Sequence, residues 1–156
     1  MNKVNDYSIQ AELAQAAYGT LYKGTILSSL LTGDDAEMSI SQAATFIEKW
    51  QVADQYTDPI TRASATVFEA IEGGAKYLAI RGTEPSANDV VSDLLLATGW
   101  SSNFNPQFLA LKAQIENIWL QDPTVLQGQH FTVTGHSLGG YLAAVMKSSF
   151  PQTTQD

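Results

Sequence analysis

The chain has 156 residues, 44% of them apolar and 15% charged, which suits one globular domain burying roughly 70% of its unfolded surface and excludes a disordered segment. Its formal charge of −8, with the eight basic residues never adjacent to one another, repels phosphate backbones and argues against nucleic-acid binding; the acidic surface reads as a solubility device. Absence of cysteine excludes disulfides and thiolate chemistry, while no apolar run is long enough for a transmembrane helix and Met1–Asp6 lacks a charged-then-apolar leader, so neither a membrane span nor a cleavable signal is expected.

From the N-terminus, Ile9, Leu13, Ala16, Ala17 and Leu21 share one helical face, predicting a helix over residues 8–21 that Gly19 and Gly24 end. Residues 32–38 form a loop whose Asp34, Asp35 and Glu37 lack the spaced oxygen ligands of a calcium loop and read as a solvated turn. Ser39-x-x-Gln42 is a capping box, and Ile40, Ala43, Ala44 and Ile47 place residues 39–49 in an amphipathic helix, followed by a short strand over 50–56. Two β-rich runs, 65–70 and 76–82, flank the glycine-containing turn 71–75 and should pair antiparallel. Ser86-x-x-Asp89 caps a segment with Val90, Val91, Leu94 and Leu95 on its apolar face. Asn105-Pro106 opens a further helix in which Phe108, Leu111, Ile115 and Ile118 recur at helical spacing until Asp122-Pro123; that stripe is core packing, not a cofactor box. A strand over 129–134 and a helix over 138–149 complete an α/β arrangement: one domain over 1–156, a mixed sheet flanked by helices.

The last strand enters Gly135-His136-Ser137-Leu138-Gly139, a Gly-x-Ser-x-Gly turn between strand and helix. A serine on so sharp a turn has backbone close on both sides, where glycine leaves room, and its hydroxyl projects beside the first amides of the helix. This is the arrangement of a nucleophile elbow, and the bland alternative is a solvated serine on an ordinary strand-to-helix turn. Stabilising a tetrahedral oxyanion needs two donors: one is the Leu138 amide, directly after the serine, and the second is expected from the turn after strand 76–82, at Thr83. Thr83 would otherwise simply cap the next helix.

The segments Ser64-Ala65-Thr66-Val67-Phe68, Leu78-Ala79-Ile80-Arg81-Gly82-Thr83, Asp89-Val90-Val91-Ser92-Asp93-Leu94 and Thr134-Gly135-His136-Ser137-Leu138-Gly139-Gly140 resemble, in order, the lipase class 3 family of fungal-lipase-like α/β-hydrolases, particularly its bacterial members. The resemblance spans residues 64–140, and Ala16-Ala17-Tyr18 is similar too. It implies an α/β-hydrolase-like mixed sheet, Ser137 as nucleophile, an oxyanion hole from Thr83 and Leu138, and a lipid ester substrate met at a lipid–water interface, with no cofactor. Arg81 and Asp93 read as a pair tying the oxyanion turn to the next helix, and residues 84–106 hold the local candidate for a lid.

The triad order of this fold is Ser, then Asp or Glu, then His, yet the 19 residues after Ser137 contain no histidine. His130 lies at the far end of the elbow strand, roughly 20 Å away at 3.3 Å per residue, and His136 should turn away from its neighbour into packing beneath the elbow. The expectation is therefore the N-terminal part of a single lipase-like domain, truncated after the elbow, its acid and base beyond residue 156 in a missing C-terminal half or an oligomeric partner. Two other readings stay open: a non-catalytic lipase-like module that binds lipid or protein, and a thioesterase or peptidase using the same elbow, against which Arg81-Gly82-Thr83 argues. The compartment is open between cytoplasm and secretion, the latter favoured by the bacterial members of the family.

Overall fold

The computed structural model describes residues 3–82, 106–151 and 153–155. In chain order the elements are α1 (Lys3–Ala16), α2 (Ser28–Leu31), α3 (Ile40–Lys49), β1 (Trp50–Thr57), β2 (Ser64–Ala70), β3 (Lys76–Arg81), α4 (Pro106–Asn117), a 3-10 turn (Trp119–Gln121), β4 (Phe131–Gly135), α5 (Leu138–Ser149) and β5 (Thr154–Gln155). The strands lie in one mixed sheet in sequence order, β1-β2-β3 antiparallel and β3-β4-β5 parallel, as the α/β reading requires.

Helices cover both faces of this sheet. Leu78 and Ile80 of β3 turn toward α4 and α5, joining Val67, Leu111, Trp119, Phe131, Leu142 and Met146, while Ala79 and Phe68 turn toward α1–α3 and meet Leu13, Leu31, Phe46 and Trp50. Burial on both sides shows in the unbroken buried runs Ser64–Phe68 of β2 and Leu78–Ile80 of β3, which include the polar Ser64 and Thr66.

Several boundaries differ from the sequence reading. The first helix starts five residues earlier, because its first turns face solvent: Val4 and Tyr7 are exposed and do not extend the buried stripe that marks the helix in the sequence. It stops at Ala16, where the Tyr18 and Gly19 amides fold back onto the Gln15 and Ala16 carbonyls and the Leu21 amide donates instead to Gln55 Oε1 at 2.9 Å. The Ser39/Gln42 capping box is present, but α3 buries Ala43 and Phe46 while Ile40 is 83% exposed and Ala44 is also outside. Phe46 sets that rotation by packing against Phe68 and Trp50, with ring centroids 5.6 and 6.4 Å apart. In α4 the stripe Phe108, Leu111 and Ile115 is buried as expected, but Ile118 is exposed and Trp119 takes its place. The 3-10 turn swings the Trp119 indole inward, where Nε1 donates to Asp54 Oδ2 at 2.7 Å. Finally, Thr154 and Gln155 pair in parallel with Phe131 and Thr132, which covers part of the β4 edge within the chain.

Candidate active site

Phe131–Gly135 runs parallel to β3 with Ile80 beside Gly135, which brings the C-terminal ends of β3 and β4 together. The chain then reverses through Ser137 into α5. Ser137 has φ 57° and ψ −125°, a backbone conformation that costs a non-glycine residue on the order of 1–3 kcal/mol and persists only when the surroundings enforce it. Those surroundings are backbone. A Cβ on Gly135 would strike the Gly139 carbonyl and lie 2.9 Å from the Gly140 nitrogen; one on Gly139 would strike the Ile80 oxygen and lie 2.8 Å from the Gly82 nitrogen. The glycines thus allow β4, α5 and the end of β3 to touch without side chains between them.

This packing leaves Ser137 exposed, with no hydrogen-bond partner for its hydroxyl among the described residues. The Gly139 amide donates to the His136 carbonyl at 3.0 Å and the Gly140 amide to the Ser137 carbonyl at 2.9 Å. The Leu138 amide has no acceptor among the described residues, as befits the first helical position, while its side chain packs on the core. Thr83 lies outside the described residues, as do the 86–89 cap, Asp93 and the lid candidate up to residue 105. What is described is the approach to Thr83: Gly82 sits against the elbow so closely that a Cβ there would be 2.9 Å from the His136 carbonyl oxygen and 3.3 Å from the Gly139 nitrogen.

Helix α1 braces the site from the other face of the sheet. Thr134 Oγ1 donates to the Gln10 carbonyl at 3.1 Å, and the Tyr18 hydroxyl lies 2.9 Å from where a Gly82 Cβ would be. Gln55 holds the turn after Tyr18, accepting from Leu21 and donating to the Gly19 carbonyl at 3.0 Å and to Thr66 Oγ1 at 2.8 Å. The role of Gln55 behind the elbow was not legible in the sequence, because its partners Gly19, Leu21 and Thr66 lie 36, 34 and 11 residues away, and the approach of Tyr18 to Gly82 is likewise set by the fold.

The histidines divide as follows. His130 is exposed just before β4, at the end of that strand opposite to Ser137. His136 does not pack beneath the elbow as expected; it is exposed and lines a cavity of about 640 Å³ with Gln10, Tyr18, Asp34 and Glu37, a cavity whose wall does not include Ser137. Its displacement outward follows from the elbow itself, since Gly82 and Gly139 fill the space where a ring would have to go. Asp34, Asp35 and Glu37 are exposed on a turn, and among the described residues no group of three or more His, Asp or Glu is placed to hold a metal ion. No described helix is long and apolar enough to cross a membrane.

Compared with solved structures, the chain aligns over 95% of its length with the Lip2 lipase of Yarrowia lipolytica (TM-score 0.64, 21% identity), covering 55% of that chain. The fold is lipase-like. A lipase from Rhizopus microsporus var. chinensis aligns with 96% of this chain (TM-score 0.61, 18% identity) and lipase II from Rhizopus niveus with 98% (TM-score 0.59, 20% identity). The chain spans 52% and 60% of those two proteins, so it corresponds to about half the length of each lipase it resembles. No family model matches the sequence, and no curated protein sequence does at a significant level.

Proposed function

We propose that this chain carries the nucleophile and oxyanion hole of a serine-dependent lipid ester hydrolase, of the acylglycerol lipase or carboxylesterase type. The observation that carries the reading is the strained, exposed Ser137 on the turn between β4 and α5, with the open Leu138 amide behind it and the Gly82 turn pressed on Gly139. In this account Ser137 Oγ attacks the ester carbonyl, and the amides of Leu138 and Thr83 receive the oxyanion. A general base takes the serine proton and returns it to the leaving alcohol; water then releases the acyl group by the same route, with no cofactor. Neither histidine of this chain serves as that base: His130 is at the wrong end of β4 and His136 lines a separate cavity. The acid and base belong to the half of the lipase fold that this chain does not span, which makes residues 1–156 the N-terminal part of one domain.

The solved lipases with this fold and the Arg81-Gly82-Thr83 turn support a lipid ester over other acyl substrates. The position of both histidines favours the second reading, a lipase-like module that binds lipid or a partner protein without catalysis. Reading the codons downstream of residue 156 separates the two. An Asp or Glu followed by a His in frame is expected; a stop codon with no partner chain supplying them would favour the binding module.

A further inference from the structure

The turn between β1 and β2 lies at the same end of the sheet as Ser137. Thr57 pairs with Ser64, Ser64 with Arg81, and Ile80 with Gly135, so residues 58–63 sit at the end where β3 and β4 deliver the oxyanion turn and the elbow. Two to three strand spacings separate that turn from β4, about 10–14 Å along the sheet. At its tip Ile60 is 88% exposed, the most exposed large apolar side chain among the described residues, with Pro59 and Arg62 exposed on either side.

This tip is held rigidly outward. Asp58 Oδ2 accepts from the Thr61 amide at 2.6 Å, the Thr61 hydroxyl at 2.8 Å and the Ile60 amide at 3.2 Å, while Oδ1 accepts from the Tyr56 hydroxyl at 3.0 Å. The Asp58 amide donates to the Ala63 carbonyl at 2.7 Å, and Gln107 Nε2 of α4 donates to the Thr61 carbonyl at 3.1 Å, bringing the first turn of α4, with the half-exposed Leu109, alongside. Both oxygens of the Asp58 carboxylate are thereby engaged by donors of the strand end and the turn. What the tip presents is an apolar wedge with one cation beside it.

We propose that the Pro59–Ile60 tip is a lipid-surface anchor that seats the Ser137 end of the sheet on a zwitterionic phospholipid surface. The inference rests on the lipid-ester reading for its purpose and on the tip's own geometry for its site. An aliphatic side chain fixed in water at the reactive end of the molecule gains by entering an acyl layer, and a turn already ordered loses little freedom in doing so. Arg62 suits the phosphate of a headgroup, whereas the chain's charge of −8 disfavours a surface that is anionic throughout. The hairpin turn at the opposite end carries Ile71, 54% exposed, which offers an internal control of the same chemistry.

The test is co-sedimentation of the purified chain with phosphatidylcholine vesicles, comparing Ile60→Ser with Ile71→Ser and confirming by thermal melting that both variants remain folded. Ile60→Ser should weaken partitioning about tenfold, Ile71→Ser by less than twofold, and binding to phosphatidylglycerol vesicles should be weaker than to phosphatidylcholine. No binding by the parent chain, equal effects of the two substitutions, or preference for phosphatidylglycerol would overturn the proposal. Hydrolysis of a monomeric, soluble ester by a polypeptide extended past residue 156 reads Ser137 alone, and Ile60→Ser should leave it unchanged, so failure of the anchor and failure of the hydrolase reading are told apart.

Discussion

Gly139 is the residue on which the elbow's packing turns, and replacing it with alanine should separate α5 from β3. The added methyl group would strike the Ile80 carbonyl oxygen and lie 2.8 Å from the Gly82 nitrogen and 3.1 Å from the Arg81 carbonyl carbon, all of them backbone atoms that cannot rotate aside. Overpacking of this kind costs about 1–3 kcal/mol, and contacts with strand backbone place Gly139→Ala at or above about 3 kcal/mol. The neighbouring Gly140 is a sharp comparison: its Cβ would meet only the Gly135 oxygen at 3.2 Å and carbon at 3.7 Å, and helix propensity returns up to about 1 kcal/mol, leaving Gly140→Ala near neutral. For a domain of this size about 3 kcal/mol corresponds to a melting shift of roughly 6–12 °C. Thermal and urea unfolding of the two variants measure the difference. Equal melting temperatures for Gly139→Ala and Gly140→Ala would refute the claim that direct backbone contact between α5 and the end of β3 builds the site.

At the opposite end of the sheet, Lys76 Nζ, whose side chain is 6% exposed, is held by Glu69 Oε2 at 2.8 Å and the Thr124 carbonyl at 3.2 Å. Glu69→Ala should therefore destabilise by about 3 kcal/mol in urea unfolding, and the double change Glu69→Leu with Lys76→Met by less, since it leaves no charge unpaired. Hydrogen bonds from the Thr61 amide and hydroxyl hold the Asp58 carboxyl below its ordinary range. A carboxyl lowered in the folded state contributes stability above its unfolded value of about 3.9, lost as pH falls through the lower folded value. Asp58→Asn should thus flatten the stability profile below about pH 4 and leave its slope at neutral pH unchanged; an unaltered acid limb would contradict the turn's hydrogen bonding.

Much of the fold was legible in the sequence because its signals are local. The Ser39 capping box, the glycine-rich hairpin at 71–75, the Pro106 helix start and the strand–Gly-x-Ser-x-Gly–helix run each depend on residues within a few positions of one another. The errors occur where a distant partner decides. The spacing places Ile40 in the core, but the edge-to-face contact of Phe46 with Phe68 rotates α3 and leaves it in water. The bond from Trp119 to Asp54, 65 residues away, displaced Ile118 from the buried stripe. His136 was assigned a place beneath the elbow that Gly82 and Gly139 occupy, and the contact between those glycines comes from the register of β3 on β4, which no motif states. The nucleophile was readable as a motif; its bracing by Tyr18, Gln55 and Gln10 was not, because those residues carry ordinary helix and strand signals.

Hydrolysis of a soluble short-chain ester, measured for the 156-residue chain, for a polypeptide extended past residue 156, and for Ser137→Ala in each, reads the role of Ser137 without a lipid surface. Turnover is expected in the extended polypeptide, abolished by Ser137→Ala, and almost none in the shorter chain, since loss of the histidine from a serine triad costs on the order of 10⁶ in turnover. Turnover in the extended polypeptide that survives Ser137→Ala, or robust Ser137-dependent turnover by the 156-residue chain alone, would contradict this expectation.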